Sequence, residues 1–433
     1  MRSWDAQRIA VEACAELVDA GPTVRPPGPT RVVIDSRSAS AGDLFAGLRG
    51  ERHDGGRFAA DALAAGAWGV LVGEEHREVR GPGAVLVAPD PLAALQRLAS
   101  AWRHELGCPV IAITGSTGKT STKDILRGML APQRSVVATD ENRNNELGLP
   151  LTILGAPEDT DVLVLEMGMR GAGQIAELAA IAQADVGVIV SVGPVHLELL
   201  GSVEAIAAAK AELCAALPAH GVAVVPAGER LLEPHLDIAA RVVTFGPGGD
   251  VAALPDGLDL PLSSAHMRTN ALAALAAARA IGVEPTGRVE VSLSRLRGER
   301  IDVGRDIVVI DDCYNANPMS MQAALDDLAE TAHGRRVAVL GNMLELGPDE
   351  RRFHAELGAQ ARAAGVELLV TVGSLAAHAG ASYGGPVQAV ATAADAAALL
   401  PRLVEPGDTV LVKASRGVGL EVVAQALIEA RGA

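Results

Sequence analysis

Apolar runs of four or five residues recur along this chain. Each closes on Gly, Ser, Thr, Asp or a similar small or polar residue, and Ala- and Leu-rich stretches of helical length lie between the runs. Continuous rather than alternating apolar runs mark strands buried on both faces, as in parallel sheets covered by helices. Such runs fall at 30–34, 69–72 and 84–87, then at 110–113, 161–165, 186–190, 222–225 and 242–245, and again at 307–310, 337–340, 368–372 and 409–412. Helical stretches such as 173–182 and 203–217 lie between them, and the Gly- and Pro-rich stretch 246–261 predicts a loop region. The pattern predicts an α/β chain of three domains with boundaries good to a few residues: a small N-terminal α/β domain at 1–98, a central parallel-sheet domain at 99–302 and a C-terminal Rossmann-like domain at 303–433.

Length agrees, since 433 residues exceed what a single hydrophobic core organises. A net charge of -16 argues against a general nucleic-acid binder, which needs clustered Lys and Arg. Cys14, Cys108, Cys214 and Cys313 lack metal-like spacing and predict reduced thiols of a cytoplasmic protein. The first residues lack the apolar core of a signal peptide, and no apolar run reaches the length of a membrane span, so membrane insertion is not expected.

The most specific chemistry is Thr114-Gly115-Ser116-Thr117-Gly118-Lys119-Thr120, which leaves the strand at 110–113 and leads into Ser121 and a helix. Small residues let backbone N–H groups close around a phosphate, and the helix N-terminus adds positive potential. Lys119 can reach outer phosphates and the Thr120 hydroxyl suits Mg²⁺, so a nucleoside triphosphate is expected. The spacing is short: Ile113 stands where the usual P-loop has its first glycine. Polar residues at other strand ends gain weight because ligands of open α/β sheets bind there. Glu166 follows an apolar run and offers a hard oxygen to Mg²⁺, with a helix-starting glutamate as the plainer alternative. His196 lies beyond the run at 186–190, where a structural histidine is equally consistent. Lys210 sits among alanines and is either packed, at a cost that needs a reason, or solvated beside Glu212. Arg143-Asn144-Asn145 offers amide donors, with a plain Asn-rich turn as the alternative. Asp311-Asp312-Cys313-Tyr314-Asn315-Ala316-Asn317-Pro318 crowds polar groups at a strand end, with Asn317 accounted for as a helix cap. Lys413, Ser415 and Arg416 suit an acidic group.

Taken together and in this order, these motifs resemble the Mur ligases, ATP-dependent amide-forming enzymes of peptidoglycan synthesis. The short phosphate loop matches theirs, as do Asn142-Arg-Asn-Asn-Glu-Leu-Gly148, Glu345-Leu-Gly347, the 311–318 motif and Lys413-Ala-Ser-Arg416. Asp35-Ser36-Arg37 through Asp54-Gly55 resembles a uridine-nucleotide-binding block. The resemblance implies ATP and Mg²⁺ as cofactors, with a UDP-N-acetylmuramoyl-tripeptide and D-alanyl-D-alanine as partners of a monomer. It implies a catalytic set of Lys119, Lys210, His196 and Arg300. Nucleotide binding falls to the loop 115–121 with Asn145, Asn270, Arg300, Asp312, Tyr314 and Asn315. Metal binding falls to Thr120, Glu166, His196 and Lys210, the last N6-carboxylated by CO₂. Ser36, Arg37, Asn317, Lys413, Ser415 and Arg416 would face substrate. The chain departs from the family at Gly56, where a His is frequent, and at Asn342, where Asp is usual. A Mur-type ligase with another acceptor remains open, as does a folylpolyglutamate synthase, against which the 35–55 block argues. A non-catalytic scaffold would have no need of the metal ligands.

Overall fold

The computed structural model describes residues 1–24, 27–140, 142–262 and 264–430. Three main sheets follow one another along the chain. In the first, Arg31–Val33, Asp43–Ala46, Gly69–Val72 and Ala84–Val87 run parallel, and Glu16–Asp19 closes the edge antiparallel to Ala84–Val87. Asp43–Ala46 is a wholly buried strand that the hydrophobic pattern does not announce, because its first residue is a carboxylate. Asp43 is tolerated there because Arg31 Nη2 and Nε bond its two oxygens at 2.7 and 3.0 Å, and Ser40 N donates at 3.0 Å. These donors hold its carboxyl below the ordinary range against the opposing effect of burial.

The second sheet is parallel throughout, in the order Arg241–Phe245, Val222–Pro226, Val186–Ile189, Val110–Thr114, Val162–Glu166, Val136–Ala138. Val110–Thr114 lies at the centre, flanked by Val186–Ile189 and Val162–Glu166, so the chain diverges on its two sides there. That opens a crevice beyond its carboxyl end, where ligands of such sheets bind. The edge strand Val136–Ala138 is only partly buried, and its three residues are too short a run to read as a strand. Within the region read as a loop, Leu258–Asp259 forms a two-residue parallel pairing with Gly287–Arg288.

The third sheet runs Glu299–Asp302, Val308–Asp311, Thr409–Lys413, Arg336–Gly341, Leu368–Val372, Val387–Val390, with only Glu299–Asp302 antiparallel. That strand precedes residue 303, where the sequence pattern sets the start of the third domain.

The helix Pro91–Leu106 spans the expected boundary at 98. Asp90 caps it through the N–H groups of Leu92 and Ala93, Pro91 opens it, and Gly107 ends it at φ 60°. Its apolar face buries Leu95, Leu98 and Trp102 in a core cluster that runs without a break from Trp4 and Ile9 of the N-terminal domain to Leu149, Leu163 and Ile175 of the central one. Trp4 and Trp102 meet edge to face at 5.3 Å, with the Arg8 guanidinium 4.1 Å over Trp4.

Candidate nucleotide and metal site

Thr114 ends the central strand, and the chain turns through Gly115–Gly118 into the helix Lys119–Leu130. The loop is braced by hydrogen bonds to the neighbouring strand end. Ser116 Oγ donates to the Gly193 carbonyl at 3.0 Å and accepts from its N–H at 2.9 Å, and Thr117 N donates to Ser191 Oγ at 2.9 Å. Gly118 has φ 79°, and an added Cβ would stand 2.6 Å from Asn270 Oδ1, so glycine is required there both for its backbone and for the approach of Asn270. Lys119 Nζ folds back onto the Gly115 carbonyl at 2.6 Å. Burial lowers its pKa, partly opposed by Glu166.

Glu166 ends the neighbouring strand and is 1% exposed. One carboxylate oxygen accepts from Thr120 Oγ1 at 2.8 Å and the other from Asn144 Nδ2 at 2.7 Å. A hydroxyl from the first turn of the helix Lys119–Leu130 and a carboxylate from the adjacent strand end thus converge on one point beside the phosphate loop, a donor set that fits a small hard cation. Asn144 is a residue that sequence reasoning placed only within a motif. A signal for it exists in hindsight: it neighbours Asn145, and its carbonyl also receives Gly168 N at 2.8 Å.

Lys210 lies on the helix Val203–Ala215, 2% exposed, and lines the same cavity. No hydrogen bond or ion pair engages its amine among the described residues. Burial, reinforced by the nearby Lys119 charge, lowers its pKa well below the ordinary lysine value. The packed reading therefore replaces the solvated one, and Glu212 instead bonds Gly173 N and Ala176 N. His196 opens a short helix at φ 52° and contacts Glu345 of the C-terminal domain through Nδ1. Burial lowers its pKa, while Glu345 opposes the shift.

These groups line one cavity of about 1050 Å³ between the central and C-terminal domains. The loop 115–121, Asn145, Glu166, His196, Lys210, Asn270, Arg300, Asp312, Tyr314, Asn315, Asn317 and Lys413 all reach it. Several arrive already engaged. Arg300 Nη2 bonds Asp327 Oδ2 at 2.7 Å and Thr331 Oγ1 at 2.6 Å, and Asn317 Oδ1 caps the helix Pro318–Thr331. Lys413 is 2% exposed and held by Asp312 Oδ2 at 2.6 Å and the Asn315 carbonyl at 3.0 Å. Arg297, which sequence reasoning missed, stacks 3.8 Å over the Tyr314 ring.

Four expected substrate residues do not line this cavity. Ser415 is buried and binds Leu344 N at 3.0 Å, and Arg416 faces outward beside Glu421 at 3.6 Å. Ser36 and Arg37 belong to the N-terminal domain, in the turn after Arg31–Val33. Arg37 is 88% exposed and bonds Asp35 at 2.7 Å, holding the Asp35 carboxyl down to about 2. Nearby, His76 explains Gly56: an added Cβ at residue 56 would stand 2.1 Å from the His76 ring, whose Nε2 lies 2.8 Å from Asp54 Oδ2.

A parallel-sheet crevice with a braced phosphate loop, a carboxylate–hydroxyl pair and a second α/β domain facing it defines a nucleotide-dependent enzyme with its site between two domains. The chain belongs to the Mur ligase family: residues 30–103 match the Mur ligase family catalytic domain, 113–278 the Mur ligase middle domain and 296–416 the Mur ligase glutamate ligase domain. It is 40% identical to UDP-N-acetylmuramoyl-tripeptide--D-alanyl-D-alanine ligase of Synechocystis sp. over 92% of both chains. Among solved structures it is similar to MurF from Acinetobacter baumannii, with TM-score 0.87, 31% identity and coverage of 98% and 99% of the two chains. MurF ligase from Thermotoga maritima in complex with ADP gives TM-score 0.80 at 28% identity over 93% and 98%.

Proposed function

We propose that this chain joins D-alanyl-D-alanine to a UDP-N-acetylmuramoyl-tripeptide at the expense of ATP, through an acyl phosphate, in the synthesis of peptidoglycan precursors. The observation that carries this reading is the convergence of Lys119, Thr120, Glu166 and the partnerless Lys210 on one cavity. The high coverage of a relative named for this reaction supports the choice of substrates.

A carboxylate is a poor acyl donor at neutral pH, so its oxygen first attacks the γ-phosphorus of ATP and ADP leaves. The dipeptide amine then attacks the acyl carbon and phosphate leaves. The chain's task is alignment and charge compensation. Backbone N–H groups of 115–119 cradle the phosphates, and Lys119 exchanges the Gly115 carbonyl for a phosphate oxygen. Thr120, Glu166, His196 and Lys210 would hold Mg²⁺. When bound, the ion neutralises phosphate charge. Asn270, Tyr314 and Arg300 border the nucleotide, and the C-terminal domain excludes water over the acyl phosphate. Ser36 and Arg37 hold the uridine nucleotide.

Lys210 fits N6-carboxylation. Its lowered pKa favours the neutral amine, which adds to CO₂ to give a carbamate and release one proton, so a partnerless base becomes an anion able to join Glu166. No helix among the described residues is long and apolar enough to cross a membrane. We assign the enzyme to the cytoplasm as a monomer. The test is mass spectrometry of products from a panel of UDP-muramoyl peptides and dipeptides with ATP. Condensation of the tripeptide with D-alanyl-D-alanine is expected, and a preference for another amine would transfer the chain to a different acceptor.

A further inference from the structure

The C-terminal domain touches the central one along residues 193–198. Met319 fills the space beside Gly193, where an added Cβ would lie 1.9 Å from its sulfur. A few residues on, the segment 345–347 docks onto 195–198. Glu198 N donates to the Glu345 carbonyl at 3.3 Å, and a Cβ on Gly347 (φ 66°) would stand 3.4 Å from Glu198 Cα. The Glu345 carboxylate contacts His196 Nδ1 and lies 3.8 Å from Arg170 Nη2. Both partners sit in left-handed backbone conformations, His196 at φ 52° and Glu345 at φ 62°. Non-glycine residues rarely hold such angles unless their surroundings over-determine them.

We propose that Glu345 is a positioning residue through which docking of the C-terminal domain orients His196 for the metal. This rests on the reading of His196 as a ligand. An imidazole has two nitrogens, and a carboxylate on Nδ1 fixes the tautomer that leaves Nε2 free to ligate. Glu345 belongs to the C-terminal domain and His196 to the central one. The metal set is therefore complete only when the domains meet, and an undocked enzyme holds a weaker site.

The test follows Mn²⁺ binding to the full chain by electron paramagnetic resonance with a non-hydrolysable ATP analogue, alongside steady-state kinetics. Glu345→Ala is expected to weaken Mn²⁺ binding and lower kcat by about tenfold each while leaving KM for the UDP-substrate nearly unchanged, and Glu345→Gln to recover part of both. Gly347→Ala keeps the carboxylate but strains the docked turn, and it should shift Mn²⁺ affinity in the same direction. Wild-type Mn²⁺ affinity in Glu345→Ala, with a clear loss in His196→Ala, overturns the positioning role and leaves the metal reading standing. Unchanged affinity in both variants overturns the metal reading as well.

Discussion

The phosphate loop and the Ser36–Arg37 turn both leave the carboxyl ends of parallel strands, yet they are held differently. Ser116 and Thr117 are tied to Ser191 and Gly193, and Glu166 is fixed by two donors, so the loop has its working shape from the fold alone. Arg37 is exposed and satisfied by Asp35 two residues away. On the proposed roles, the contrast separates a site that stabilises charge during a reaction, which gains from fixed dipoles, from one that captures a ligand and can reorganise on contact.

If the contrast holds, Lys119→Ala should cause the largest loss, about 10²–10³-fold in kcat, with the fold retained by circular dichroism. Unchanged product formation would remove any ATP-driven mechanism. Lys210→Ala should lose about a hundredfold, and added formate or acetate should restore part of it. Full activity without rescue would eliminate the carbamate. Arg37→Ala should raise KM for the UDP-substrate about tenfold and leave KM for ATP unchanged. A selective ATP defect would erase the distinction between the two loops.

Smaller effects concern stability. Asp43→Asn should cost about 1–3 kcal/mol in denaturant unfolding, since it leaves Arg31 and Ser40 less well matched. The folded pKa of Asp43 is lowered, so its contribution is complete above the unfolded value of 3.8 and is lost as pH falls through the lower folded value. The difference between wild type and Asp43→Asn should therefore shrink in acid. Lys210 gives a slope of the same sign in a higher pH range, because its burial is a cost that the unfolded chain avoids by staying protonated. In CO₂-free buffer, between its lowered folded pKa and 10.5, the unfolded chain binds the extra proton, so stability rises with pH. Lys210→Met should lack that slope, and a parallel pH profile would mean that the folded amine is charged.

The interior central and C-terminal strands are legible because burial on both faces writes them as unbroken apolar runs, whereas the partly exposed edge strands Val136–Ala138, Glu299–Asp302 and Val387–Val390 are not. Asp43–Ala46 was not, since its first residue is an acid whose partners lie in other segments. At the site, Lys119, Thr120 and Glu166 could be read from strand ends. Asn144 and Glu345 matter through neighbours 22 and 149 residues away, a kind of pairing that spacing does not encode. Lys413 and Ser415 read from the strand end as partners for an acidic group, and both also make hydrogen bonds inside the C-terminal domain, because a strand end is also where loops need internal donors.

The unbroken core around the helix Pro91–Leu106 has a consequence for the substrate. The N-terminal and central domains share buried side chains, with Trp102 against Trp4, so the Ser36–Arg37 turn and the phosphate loop are carried on one continuous core. If the Ser36–Arg37 turn holds the uridine nucleotide, as proposed, a ligand anchored there must present its carboxylate at the phosphate loop. The protein would then act as a ruler that recognises a peptide by its reach, and a UDP-peptide shorter by one residue should be a poorer substrate.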